Sequence, residues 1–180
     1  MTLDFTITKT PVGPMALWGA GDELVALQLD ASRGADPAME RYLKKRLGAF
    51  STRQVPDAAG AATRLRRYFD GDLGALDEQP LRVLGTEFQR AVWEMLRTIR
   101  AGRTVSYKQL ATMMARPRAV RAVAAANGAN PIALFIPCHR VIAADGTLWG
   151  YGGGLPMKQL LLRHEGARFV SLPEQEALSL

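Results

Sequence analysis

The chain has little cysteine and little histidine: its 180 residues include one cysteine, Cys138, and two histidines. A single cysteine cannot form an intramolecular disulfide, and chains without one are typical of reducing compartments. The same scarcity excludes a four-cysteine zinc site and argues against a mixed Cys/His site. We therefore expect no metal site. We also expect no other cofactor.

Long apolar runs are also missing. No stretch is long enough to cross a bilayer, and the opening "MTLDFTITKT" lacks the basic region and apolar segment of a signal peptide. Hydrophobic residues nevertheless make up 48% of the chain, enough to bury a core. The expectation is a cytoplasmic protein, or a nuclear one if the source is eukaryotic, with no membrane partner.

Acidic residues are scarce in the second half of the chain. Residues 1–84 carry 11 Lys/Arg and 11 Asp/Glu, whereas residues 85–170 carry 12 Lys/Arg and only four Asp/Glu. Such clustering favours a polyanionic partner, nucleic acid first. On charge alone, a merely solvated basic face explains it equally well.

The hydrophobic pattern divides the chain in two. Residues 1–30 alternate as a β-meander with turns between the strands, and helices are predicted near 37–48 and 58–70. A segment rich in Gly, Asp and Pro follows at 71–85. We therefore predict an N-terminal α/β supporting domain over residues 1–79 and a second domain over residues 80–180.

The second domain is predicted to be mostly helical. Capping boxes at Thr86 and Ser106 open two helices, and Pro117 suits the first turn of a third that stops at Asn127-Gly128. The second and third are short and joined by a tight turn, as in a helix-turn-helix. A Gly-rich loop at 150–154 leads into a final helix.

Cys138 lies in the apolar run "FIPCHRVI". A lone cysteine in such a run is most often a small core hydrophobe. A catalytic thiol needs a base or dipole that favours the thiolate, and His139 is a candidate base, with Glu165 as its orienting partner. Neighbours in an extended strand point to opposite faces, so the sequence does not guarantee a direct thiol–imidazole bond, and a water can bridge the two groups if the chain turns.

The third predicted helix, in "AVRAVAAANGAN", is rich in alanine and carries one long cation, Arg121. Small side chains let a helix approach a surface closely. A major-groove reader would carry several Asn, Gln or Arg side chains, so a shallow, sequence-indifferent contact fits better. The alternative is an ordinary buried alanine-rich helix.

Together the motifs resemble a known family. "IPCHRVI", preceded by "SYKQLA", "RAV" and "NP" and followed by "GYGGG" and "LLLRHEG", resembles the O6-alkylguanine-DNA alkyltransferases, also called methylated-DNA–protein-cysteine methyltransferases. The likeness is close from Gly85 to Gly166 and looser before, where "TPVGPMALWG" resembles the family's opening. Several motifs in family order are far more specific than any one of them.

The resemblance implies a fold of mixed α+β and α/β class in two domains. The N-terminal domain would hold a small antiparallel, ribonuclease-H-like sheet with helices, and the C-terminal domain would be mostly helical with a helix-turn-helix. It implies a monomer that binds double-stranded DNA containing O6-alkylguanine. The alkyl group, from O6-alkylguanine or O4-alkylthymine, would pass irreversibly and once per molecule to Cys138 after the nucleotide is flipped out.

The resemblance also assigns catalytic roles. Cys138 would accept the alkyl group, His139 would take the thiol proton through a water, and Glu165 would hold His139. Tyr107 would donate to the departing guanine, and Asn130 would brace the turn before the nucleophile.

Further residues would contact DNA or the base. Arg121 would enter the stack from the minor groove in place of the flipped nucleotide. The other DNA-binding positions are Val120, Ala122, Ala124, Ala125 and Ser106. The substrate pocket would be lined by Val141, Tyr151, Gly152 and Gly153.

Some positions depart from the family pattern. Ala124 and Ala125 stand where relatives often have glycine, Trp149 stands where a smaller residue is expected, and Gly152 replaces a commoner Ser or Ala. These differences bear on the preferred alkyl size, not on the reaction.

Other functions remain to be weighed. A binding-only alkyltransferase-like protein would lack the acceptor cysteine, which this chain has. A helix-turn-helix regulator would carry base-reading side chains. A thiol protease or redox sensor would need an Asn/Asp orienter or a resolving cysteine, and neither is evident.

Overall fold

The computed structural model describes residues 1–172. The chain forms two compact units, and the division is not a single cut in the sequence. The first unit comprises Met1–Leu84 together with Pro131–Phe135, and the second comprises residues 85–130 and continues from residue 136.

The first unit is built on a four-stranded mixed sheet in the order β3-β2-β1-β4. Strands β1 (Thr2–Thr8), β2 (Met15–Ala20) and β3 (Glu23–Gln28) form the expected antiparallel meander. β4 (Ser51–Gln54) pairs parallel with β1, so the predicted all-antiparallel sheet is wrong in this detail. A helix intervenes before β4, and such a crossover returns the chain in the same direction. All four residues of β4 are exposed, so they carry no alternation by which to predict a strand.

The helices of the first unit are α1 (Pro37–Leu47) and α2 (Ala61–Phe69), the latter preceded by a 3-10 turn at Ala58–Gly60. α1 begins where predicted, because the Asp36 side chain accepts a hydrogen bond from Ala38 N and proline occupies the first turn. The core of this unit packs the sheet against α1. Its buried members include Leu3, Trp18, Val25 and Leu43.

The segment Pro131–Phe135 belongs to the first unit although it follows the predicted DNA-binding helix in sequence. Leu27 N donates a hydrogen bond to Pro131 O at 2.8 Å, and Leu27 pairs parallel with Ile132. Every residue of the segment is buried. The backbone just before Ile136 is therefore fixed by sheet pairing and burial.

The second unit is mostly helical, as predicted. It contains α3 (Glu87–Arg97), α4 (Tyr107–Met113), α5 (Val120–Gly128) and α6 (Gly154–His164), with β5 (Val105–Ser106) pairing parallel with β6 (Val141–Ile142). Both predicted capping boxes are present, at the starts of α3 and α4. The Trp93 indole nitrogen donates to Ala126 O at 2.8 Å and thereby ties α3 to α5.

α5 begins later than its proline suggested. The helix opens at Val120, not at Pro117. Ala115, with φ 56°, ends the preceding turn, and Arg116 N donates back to Ala111 O, so Pro117 lies in the connection between the two helices. Within residues 1–172, no helix combines the length and apolar character needed to cross a membrane.

Candidate active site

The chain turns sharply at Cys138. Cys138–Arg140 form a 3-10 turn, in which Arg140 N donates to Pro137 O at 3.1 Å, and β6 starts immediately afterwards. The Cys138 side chain is buried, with 6% of the residue exposed. Because the backbone is not extended here, Cys138 and His139 need not face opposite ways.

Glu165 accepts hydrogen bonds from two buried side chains, His139 and Arg140. It caps the C-terminal end of α6. Its Oε1 lies 2.9 Å from His139 Nε2 and 2.7 Å from Arg140 Nη2, and its Oε2 accepts from Arg140 Nε at 2.9 Å. The side chains of His139 and Glu165 are fully buried, and that of Arg140 is nearly so. Residues 26 positions apart thus meet in one hydrogen-bonded group.

The charges fix the tautomer of His139. Burial by itself raises the pKa of Glu165, but hydrogen bonds from His139 and Arg140 and the positive charge of Arg140 outweigh it and hold that pKa well below the usual range. Burial lowers the pKa of His139 despite the carboxylate beside it, so the imidazole is neutral. A carboxylate can only accept, so Nε2 carries the proton and Nδ1 is the free acceptor. Nδ1 has no hydrogen-bond partner among residues 1–172.

The thiol is buried, but polar and positively charged groups lie around it. Burial raises the pKa of Cys138, and a hydrogen bond from the Asn130 side chain, the positive charge of Lys158 and backbone N–H groups oppose that rise. Asn130 Nδ2 also donates to Ile136 O at 2.7 Å, which braces the turn before Cys138. The thiolate therefore forms only with help from its surroundings.

Lys158 joins the segment that carries Cys138 to the loop that follows β6. Its Nζ donates to Val141 O and to Trp149 O, each at 2.7 Å, and the residue is fully buried on α6. Burial lowers the pKa of Lys158 to about 8, while the Cys138 charge opposes that shift. One ammonium group thus holds two backbone segments beside the thiol.

Two tyrosines lie beside these groups. Tyr107, at the start of α4, is half-buried, and its pKa is raised by burial and by the negative charge of Cys138. The Tyr151 ring lies edge-on to the His139 ring, with 6.4 Å between their centroids. Val141 is buried, while Gly152 is exposed and Gly153 is half-buried. Of the predicted pocket residues, Val141 directly follows the Cys138–Arg140 turn and Tyr151 lies beside His139.

The exposed face of α5 carries mostly small side chains. Arg121, Ala122 and Ala125 are exposed, whereas Val123 and Ala126 are buried. Val120 and Ala124 are half-buried. Ser106 is itself buried, and its hydroxyl accepts from Gln109 N as the cap of α4.

Sequence reasoning missed two members of this site. Arg140 and Lys158 were counted only as part of a basic stretch, yet the structure buries both. For Arg140, its place directly after His139 was an available signal. For Lys158, the signal was a cation in an otherwise apolar helix stretch, "MKQLLL". Among residues 1–172, no group of three or more His, Cys, Asp or Glu is arranged to hold a metal ion.

The site combines a buried thiol, a neutral imidazole held by a carboxylate, and an adjoining pair of helices. These features together define a class of proteins with a thiol in the site. Comparison with known proteins identifies that class. The family model described as "6-O-methylguanine DNA methyltransferase, DNA binding domain" matches residues 87–167. A Shigella flexneri methylated-DNA–protein-cysteine methyltransferase is 43% identical over 159 residues, covering 87% of this chain and 92% of that protein.

Solved structures agree. A crystal structure of the Mycobacterium tuberculosis O6-methylguanine methyltransferase matches with a TM-score of 0.75 and 38% identity, covering 91% of this chain and 93% of that one. A crystal structure of Mycobacterium tuberculosis OGT in complex with DNA matches with a TM-score of 0.74 and 38% identity, covering 90% and 92%. The chain belongs to the methylated-DNA–protein-cysteine methyltransferase family.

Proposed function

We propose that this protein repairs DNA by direct reversal, moving the alkyl group of O6-alkylguanine onto Cys138. The observation that carries the proposal is the chain's single thiol, buried beside a His139–Glu165 pair within the matched family region. The same displacement applies to O4-alkylthymine. The resulting thioether is not hydrolysed by these groups, so each molecule acts once.

The chemistry is a displacement at the alkyl carbon. The sulfur–carbon bond forms as the carbon–O6 bond breaks, and the electrons of that bond remain with the guanine. A thiolate is a soft, strong nucleophile suited to this step. The thiol proton leaves through a water to His139 Nδ1, and the departing guanine takes up one proton, for which the Tyr107 hydroxyl is the donor. The imidazolium proton then returns through water to the Tyr107 oxygen, so the net change is thiol plus O6-alkylguanine to thioether plus guanine, and proton and charge balance.

The protein must also bring the base to the sulfur. O6 faces the major groove inside a stacked duplex, so the nucleotide is flipped out at a cost of about a few kcal/mol. We assign α4 and α5 to a helix-turn-helix, with the alanine face of α5 against the DNA and Arg121 filling the gap in the stack. Val141 and the loop from Tyr151 to Gly153 receive the base.

The two parts of the chain have different roles in this function. Residues 80–180 bind DNA and accept the alkyl group, while residues 1–79, with a ribonuclease-H-like arrangement of the sheet, support them. The protein acts as a monomer in the compartment that holds the DNA.

The test is the mass of the intact protein after incubation with a duplex that carries O6-methylguanine. We expect the wild type to gain one methyl group and the Cys138→Ala variant to gain none while still binding the duplex. Absence of a mass gain in the wild type would overturn the proposal. A gain in the variant would show that Cys138 is not the acceptor.

A further inference from the structure

Trp149 is a solvent-exposed aromatic residue beside the active site. It is 66% exposed, whereas Trp18 and Trp93 are fully or almost fully buried. It is the one aromatic residue among the large exposed hydrophobic residues in positions 1–172. A single exposed apolar side chain is ordinary on a protein surface, so exposure alone assigns Trp149 no role.

The backbone of Trp149 is fixed although its side chain is free. The preceding residue, Leu148, is buried in a small core with Ile142 and Leu162. The carbonyl oxygen of Trp149 itself accepts a hydrogen bond from the buried Lys158 Nζ at 2.7 Å. The indole therefore projects from an anchored position, so little conformational freedom is lost when it meets a partner.

The anchor also places Trp149 at the rim of the active site. The same Lys158 Nζ binds Val141 O, three residues after Cys138. Two residues beyond Trp149, the Tyr151 ring lies against the His139 ring. The Trp149 backbone is therefore joined through Lys158 to the segment that carries Cys138.

We propose that Trp149 is a DNA contact, whose indole stacks on a nucleobase face that the flipped nucleotide uncovers and Arg121 leaves open. This inference rests on the proposed function, because it names a further contact for the same substrate. Arg140, Lys158 and Glu165 are buried, and the other residues between 85 and 170 still include ten basic and three acidic side chains, which favours DNA over a protein partner. Stacking uses the π-face that every base has, so this contact is indifferent to sequence.

The contact has a signature that separates it from ionic contacts. Loss of a phosphate contact reduces the salt dependence of binding, whereas loss of stacking lowers affinity and leaves the salt slope unchanged. Because two of the three tryptophans are buried, the part of the tryptophan fluorescence that iodide can quench comes mainly from Trp149. Bound duplex should shield that fraction from iodide.

The experiment compares Trp149→Ala, Trp149→Phe and a control, Ile7→Ala, which also trims an exposed apolar side chain. Binding is measured in a Cys138→Ala background so that no alkyl transfer occurs. We expect Trp149→Ala to weaken duplex binding about fivefold to a hundredfold, with the salt slope unchanged. Phe should retain most of the affinity, and the control should match the parent.

Alkyl transfer is measured with Cys138 present, from a duplex and from the free O6-methylguanine base. The expected loss is confined to the duplex. Unchanged duplex affinity, a changed salt slope, or equal loss on both substrates would each overturn the Trp149 assignment. A wild type that gains no alkyl mass from the duplex would instead overturn the proposed function, so the two failures are distinguishable.

Discussion

Glu165→Gln tests the buried charge group directly. In the native protein, Glu165 accepts hydrogen bonds from His139 and Arg140 at 2.7–2.9 Å. The amide keeps the shape of the side chain but removes the negative charge and turns one acceptor into a donor. Arg140 then stays buried without a carboxylate to balance its charge.

The expected loss is large. Removing one partner of a buried ion pair costs about 3–5 kcal/mol, against a total stability of roughly 5–15 kcal/mol for a typical protein. With a urea dependence of about 2 kcal/mol per molar, the unfolding midpoint falls by about 2 M. Glu40→Gln is the matched control, because Glu40 pairs with Lys44 at 4.0 Å with both side chains exposed. Such pairs contribute about 0–1 kcal/mol.

A double variant separates stability from activity. In Arg140→Met/Glu165→Met both buried charges are gone, and replacing such a pair by apolar side chains is often neutral. Most of the stability should return. Alkyl transfer should not, because His139 Nε2 has lost the acceptor that fixes its tautomer. Similar midpoints for Glu165→Gln and Glu40→Gln would refute this account of the site, and so would full activity in the double variant.

Two further predictions concern DNA and pH. Arg121→Ala should slow alkyl transfer from a duplex at least about tenfold, since filling the stack offsets an unstacking cost of about a few kcal/mol, yet leave the reaction with free O6-benzylguanine unchanged. Arg163→Ala, also an exposed arginine, is the control, and equal slowing of Arg121→Ala on both substrates would contradict a role in flipping. The pKa of His139 is lowered on folding from about 6.5, so the unfolded chain binds that proton first and stability falls as pH drops through that value. The Glu165 pKa is lowered from about 4.5, so its contribution is present above that pH and is lost below it. Urea midpoints between pH 7.5 and 4 should show both declines in the wild type and not the second in Glu165→Gln, and a flat wild-type profile would contradict both assignments.

Local signals predicted the elements of the fold well. The alternation in residues 1–30 and the capping boxes at Thr86 and Ser106 depend only on residues that are close together in the sequence. The structure confirms both predictions. β4 was not predicted, because an exposed strand of polar residues has no pattern and depends on pairing with β1. The start of α5 was misplaced because proline is equally at home in the turn before a helix.

The sequence alone determined the reaction. Only one residue can be the cysteine acceptor, and its neighbours resemble those of one family closely enough to identify the chemistry. Only the tertiary structure decided how that cysteine is surrounded, because burial and long-range contacts are not local properties of a chain. Lys158 and Arg140 had counted toward a basic surface, yet they lie inside the protein, one linking two carbonyls beside the thiol and the other holding Glu165. Trp149 shows the reverse: a large apolar side chain at the site stays in solvent, because its anchored carbonyl and the buried Leu148 leave the indole outside the core.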